Sequence, residues 1–317
     1  MNIIKNRYLY FLISLLVIVP GLVFMGLNWQ QTKTGPLHLG IDFRGGSLLE
    51  VQFESGKRPS AEQIATLYKD LSTKDQPLSD PVIQSLDQNA ISIRSKTMSD
   101  ETKGQILAEM EKRFSSKVTL ENFTSVSPSI GGEVTRAAGL AILFAALAII
   151  GYIWWAFRSV EHAYRYGTAA ILAMLHDVLV VLGAEAILGY YLGWEADALF
   201  LTALLTVIGF SVHDTIVVFD RVRENSNIYR RVEYEKMVNH SIVQTLDRSI
   251  TTQLTVMFTL FALVLFGGES IRHFVIILLV GIFSGTYSSI FNAAPILVVW
   301  ENREWTTWFK RKEEATL

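Results

Sequence analysis

The sequence predicts an α-helical polytopic membrane protein: six transmembrane helices, with one small ferredoxin-like α+β domain inserted between helices 1 and 2. Three observations carry that reading. Half of the 317 residues are apolar and 18% are charged, where soluble domains carry roughly 25% charge. Six apolar runs approach the ~20 residues needed to cross a hydrocarbon core. The remaining charge gathers in one block, residues 50–121, and in short stretches between the apolar runs.

Residues 8–27 form the first span. Lys5 and Arg7 precede it, but the run is longer than a signal-peptide core, and Gly26-Leu27-Asn28-Trp29 offers no small-x-small cleavage site, so it reads as an uncleaved anchor. Residues 28–136 form the inserted domain. There, Leu37–Phe43 and Ser47–Phe53 read as strands joined by a hairpin turn at Arg44-Gly45-Gly46. Ser60-Ala61-Glu62-Gln63 is a capping box, and Ile64, Leu67 and Leu71 follow at helical spacing. Val82–Ser85 and Ala90–Arg94 are short strands. Ser99–Phe114 is a helix with Ile106, Leu107, Met110 and Phe114 on one face, and Lys117–Phe123 is a final strand. The order ββαββαβ suggests a split sheet with helices on one face.

Residues 137–300 hold the other five spans: Ala137–Phe157, Tyr166–Leu192, Ala198–Phe219, Ile250–Phe266 and His273–Trp300. Gly281, Gly285, Asn292 and Pro295 interrupt the sixth and predict a kink. Residues 301–317 form a tail. Basic residues cluster before span 1, between spans 2 and 3, between spans 4 and 5, and in the tail at Lys310, Arg311 and Lys312. By the positive-inside rule both termini are cytoplasmic, and residues 28–136 lie outside.

Several chemistries are excluded. No cysteine is present, so no disulfide, thiolate zinc site or thiol nucleophile can form. There is no P-loop, G-x-G-x-x-G, H-E-x-x-H or G-x-S-x-G, so ATP bound to this chain is not the expected energy source.

The informative anomaly is charge inside the spans. A carboxylate at mid-membrane costs about 2.5–3.5 kcal/mol even on the mildest insertion scale. Asp177 and Glu185 lie in the third span and Asp214 in the fourth, with Asp214 roughly 8 Å inside the cytoplasmic end. Ser211, Asp214 and Thr215 form one patch. Arg248, Thr252 and Thr255 form an i, i+4, i+7 stripe on the fifth span, at similar depth. A shielded carboxylate beside an arginine changes its proton affinity when their separation changes, which makes Asp214, Arg248 and Asp177 the candidate ion relay. His213 adjoins Asp214 but points about 100° away. Glu185 reads as structural, and helix-to-helix hydrogen bonding is the plain alternative for every one of these groups.

Gly40-Ile41-Asp42-Phe43-Arg44-Gly45-Gly46 resembles the G-[IL]-D-x-x-G-G signature of the SecD/SecF family, and residues 127–133 resemble its V-x-P-x-V-G-x-E motif. Leu175-His176-Asp177-Val178, residues 209–225 and residues 245–249 resemble the SecF branch. Arg44 departs from the small residue common there. The resemblance covers the whole chain. It implies an RND-like half that pairs with SecD as a heterodimer, associates with the SecYEG channel and YajC, and sits among the lipids of a bacterial inner membrane. It further implies that the pair uses a proton or sodium gradient to promote late translocation and release of exported unfolded polypeptides. Asp214 is then the essential carboxylate and Arg248 its support, and Gly40, Asp42, Gly45 and Gly46 are the motif of the outer domain. Neither enzymatic activity, a nucleic-acid partner nor a cofactor beyond the coupling ion, H⁺ or Na⁺, is expected. For Na⁺, oxygens such as Ser211, Thr215 or Thr252 would complete the shell. A half-size RND-type exporter of small molecules or lipids, and a scaffold without ion flux, stay open as alternatives.

Overall fold

The computed structural model describes residues 2–33, 35–54, 58–72, 78, 81–86, 89–158, 160 and 162–306; the tail lysines and arginine at 310–312 lie outside them. The elements in chain order are α1 (Arg7–Thr32), a one-turn α2 (Ile41–Arg44), β1 (Gly46–Phe53), α3 (Ala61–Leu71), β2 (Val82–Ser85), β3 (Ala90–Ser95), α4 (Asp100–Phe114) and β4 (Val118–Val126). Then come α5 (Pro128–Phe157), α6 (Ala163–Leu192), α7 (Ala198–Ile228), α8 (Tyr234–Phe266), α9 (Glu269–Ser288), a π-turn (Ser289–Ala293) and α10 (Ala294–Glu301). Among the described residues six helical segments are long and apolar enough to cross a membrane, and the chain is a multi-pass membrane protein.

The chain divides into two compact units, and His38–Ala141 with Gly193–Ala198 make up the smaller one. Its sheet has the order β2-β3-β1-β4, antiparallel throughout. From β1 onward the succession is βαββαβ, the ferredoxin-like arrangement. Alternation puts Leu49, Val51 and Phe53 of β1 on one face, where they meet Ile91 and Ile93 of β3 and Ile64, Leu67, Ile106 and Met110 of the two helices in one buried core. The Ser60 capping box forms in both directions: Gln63 N–H donates to Ser60 Oγ at 3.3 Å, and Ser60 N–H donates to Gln63 Oε1 at 2.8 Å.

One expectation fails. Leu37–Phe43 is not a strand, and Arg44-Gly45-Gly46 is not a hairpin turn. Leu39 makes a single parallel bridge to Ala196, and the chain then turns helically through Ile41–Arg44. The alternation of Leu37, Leu39, Ile41 and Phe43 imitates a strand, but the backbone groups of this stretch are satisfied by the 193–198 loop and by a local turn instead of a ladder.

In the larger unit α6 is central and packs against α1, α9, α10 and the π-turn. The helices outrun their apolar stretches: α8 starts at Tyr234, not Ile250, and α7 continues to Ile228, past Phe219. Hydrophobicity marks the lipid-length part of a helix, whereas backbone hydrogen bonding carries the helix on into polar surroundings. The expected kink in the last span takes the form of the π-turn followed by Pro295, whose missing N–H cannot continue an α ladder. At one end of the bundle Arg7 ties three elements together. It donates to Glu304 at 2.6 and 3.1 Å and lies 3.5 Å from Glu235 of α8.

Candidate functional site

Two buried carboxylates sit at the middle of the helical unit. Asp177 is 1% exposed and Asp214 is 3% exposed, so both need partners to offset lost hydration. Asp177 has a full set. Oδ1 accepts from Ser284 Oγ at 2.6 Å and meets His176 Nδ1 at 2.9 Å; Oδ2 accepts from Ser211 Oγ and Ser288 Oγ, each at 2.6 Å. An ionised carboxylate offers about four lone-pair sites, and all are occupied here. Ser284 and Ser288 reach it together because i and i+4 share a helix face. Gly285 lets α9 come close: a Cβ there would stand 3.2 Å from the Ser211 Cα. The Tyr287 ring stacks on His176.

Asp214 is held differently. Gln253 Nε2 donates to its Oδ2, and among the described residues that is its one hydrogen-bond donor. The other oxygen is left able to take a proton or coordinate a small cation. Ser211, one turn before Asp214 on α7, sends its hydroxyl to Asp177.

The expected neighbours of Asp214 are therefore redistributed. Ser211 is buried but serves Asp177. Thr215 is buried, and its hydroxyl donates to the Ser211 carbonyl at 3.0 Å. His213 faces outward, as its 100° offset requires. Arg248 and Thr252 are exposed on the outer face of α8, as is Thr255, and Arg248 makes no ion pair with Asp214. The helical period read from α8 holds, but its phase is one residue off: Ser249 and Gln253 point inward. Gln253, Ser284 and Ser288 are the site residues that sequence reasoning missed. The four-residue repeat Ser241, Thr245, Ser249, Gln253 is the signal that marks the inward face. Nearer the Leu192 end of α6, Glu185 is buried against His273, whose Nε2 lies 2.7 Å from Glu185 Oε2.

The glycine motif has a mechanical role of its own in the smaller unit. Gly40 N–H donates to Ala196 O at 2.8 Å, and Ala196 N–H donates to His38 O at 2.7 Å. Asp42 Oδ2 accepts the Ala198 N–H at 2.9 Å, a third tie between the motif and the 193–198 loop. Gly45 sits at φ +75°, and a Cβ on it would lie 2.6 Å from the Pro128 Cα; a Cβ on Gly131 would lie 2.7 Å from the Gly45 nitrogen. Thr135 Oγ1 donates to Phe43 O at 3.0 Å. Two motifs far apart in sequence, 40–46 and 127–133, are thus the two halves of one backbone clasp.

Residues 106–303 match the family described as Protein export membrane protein SecD/SecF, C-terminal, and residues 34–57 match the SecD/SecF GG Motif. The chain is 53% identical over 312 residues to the protein translocase subunit SecF of Anaerolinea thermophila, covering 98% of this chain and 97% of that one. It is 46% identical to SecF of Thermobaculum terrenum, covering 98% of each. It is 36% identical to the subunit SecDF of Thermus thermophilus, covering 83% of this chain and 34% of that longer one. The crystal structure of SecDF from Thermus thermophilus superposes with a TM-score of 0.80 at 30% identity, over 96% of this chain and 39% of the other. The chain belongs to the SecD/SecF family of protein export membrane proteins.

Proposed function

We propose that this chain is the SecF-type half of an ion-driven export unit. It pairs with a SecD-type half, works beside the SecYEG channel and YajC in the inner membrane, and helps to draw unfolded polypeptides through late translocation. The observation that carries this reading is the under-coordinated Asp214, buried in a bundle whose other central carboxylate is fully bonded. A proton crossing the membrane releases about 2.3 kcal/mol per 100 mV, and Asp214 is the group placed to take it up. The two-half assembly draws support from the Thermus thermophilus relative, whose longer chain matches this one over 34% of its length.

The orientation has both termini in the cytoplasm and the smaller unit outside. Arg7, Glu235 and Glu304 share one end of the bundle, and that end carries the basic residues. Arg248 would then act at the cytoplasmic mouth of the unit, away from the carboxylate itself.

The test is export by vesicles containing the chain with its SecD-type partner and SecYEG, under separately imposed proton and sodium gradients. One gradient should stimulate export, and Asp214→Asn should abolish that stimulation while inserting normally. Full stimulation of the Asn variant would overturn the reading.

A further inference from the structure

If Asp214 is the coupling carboxylate, it must be joined to water on one side. α8 carries polar side chains at Ser241, Thr245, Ser249 and Gln253, and all four are buried. Successive members stand about 6 Å apart along the helix. The first two are bonded. Ser241 accepts from Asn225 Nδ2 at 2.8 Å and donates to Met237 O at 2.9 Å, and Thr245 donates to Ile242 O at 3.0 Å. The next two are not fully satisfied: Ser249 Oγ and Gln253 Oε1 are buried and have no hydrogen-bond partner among the described residues. Two such atoms one turn apart, the second belonging to the residue that holds Asp214, form the setting that internal water satisfies.

The file begins at a cavity of about 560 Å³ lined by Phe157, Asp220, Glu224, Gln244, Thr245 and Arg248. Its walls include the ion pairs Arg221–Glu224 and Arg223–Asp220. It is roomy and polar enough to hold many waters at about 30 Å³ each. Between cavity and carboxylate, the buried residues of α7 past Asp214 are Thr215, whose hydroxyl is turned back to the Ser211 carbonyl, and the apolar Val218, Phe219 and Val222, so α8 supplies the polar connection.

We propose that Asp214 exchanges its ion with this cavity, releasing it along the buried face of α8 through Gln253, Ser249 and Thr245, with water at Ser249. The proposal rests on Asp214 as the coupling group. Arg248 stands at the mouth of the file, and Gln253 is a positioning residue that orients the carboxylate.

The chain has no cysteine, so single-cysteine variants each report one position. Inverted vesicles with the full chain and its partners are treated with a small charged methanethiosulfonate, which reacts with the hydrated thiolate. Thr245→Cys and Ser249→Cys should label at least about tenfold faster than Thr252→Cys on the outer face, since thiolate formation requires water. Labelling at Ser249 no faster than at Thr252 overturns the file. As a second measurement, Ser249→Ala should slow gradient-driven export about tenfold, the loss expected from one buried hydrogen-bonding step, while Thr255→Ala leaves it unchanged; equal rates overturn the proposal. Labelling does not depend on transport. A hydrated file with full export by Asp214→Asn would sink the coupling role alone, and a dry file with Asn-sensitive export would sink the file alone.

Discussion

Asp177 and Asp214 lie one helical turn apart through Ser211, in the same apolar bundle, yet they are held in opposite ways. Asp177 receives four partners from three helices, two on each oxygen. Among the described residues Asp214 receives one, from Gln253. A saturated carboxylate has no open lone pair, so a proton arriving there must first break a bond. An under-coordinated one can accept a proton at the cost of one rearrangement. Burial alone therefore does not mark a coupling group; the count of donors separates the part that knits helices together from the part that can change state.

That contrast can be broken by measurement. Asp177→Ala leaves three hydroxyls and an imidazole without their anchor and should destabilise the protein by about 3–5 kcal/mol, since several buried polar groups lose a partner at about 1–3 kcal/mol each. Asp214→Ala strands only Gln253 and should cost roughly 1–3 kcal/mol. Thermal unfolding of the purified protein in detergent reads both, and equal costs would erase the distinction. Removing one donor at a time sharpens it: Ser288→Ala should cost about 1–2 kcal/mol with gradient-driven export retained. If that variant lost export while remaining folded, Asp177 would have to be part of the ion path.

The smallest effect belongs to a third carboxylate, at the end of the bundle. Burial opposes ionisation of Glu304, but hydrogen bonds from Arg7, Tyr8 and Asn302 outweigh it and hold the carboxyl below its usual range. A carboxylate whose folded value is lowered adds stability above its unfolded value, and that stability is lost as pH falls through the folded value. Glu304→Gln should therefore flatten the acid limb of a stability–pH curve slightly and leave the neutral plateau lower. An unchanged acid limb would show that the cluster does not stabilise the folded chain.

Much of this was legible in the sequence, for reasons tied to local physics. The six apolar runs, the Ser60 capping box and the α4 face each depend on residues within a few turns of one another. Asp177 and Asp214 stand out because carboxylates are rare where lipid is the alternative. What failed was long-range. Residues 37–43 alternate like a strand, but the 193–198 loop, about 150 residues later in the chain, fixes their conformation. On α8 the Arg248–Thr252–Thr255 stripe and the Ser249–Gln253 stripe have the same period, and only packing decides which turns inward. The charge of Arg248 favoured the first stripe; the structure uses the second.

The π-turn at Ser289–Ala293 has a geometric consequence for the last span. In an α-helix a four-residue stripe drifts about 40° at each step, and a wider turn reverses that drift. Ser284 and Ser288 bond Asp177, and Asn292, one step further on, exchanges hydrogen bonds with Ser14 of α1 at 2.8 and 3.2 Å. The wide turn acts on the step from Ser288 to Asn292, offsetting the drift that the preceding α-helical step from Ser284 to Ser288 carries. Were it to relax into ordinary α geometry, α10 would twist like a key and carry Asn292 off Ser14 while Ser288 stayed on Asp177. The bulge thus sets the angle at which the last span presents Asn292 to Ser14 of the first helix.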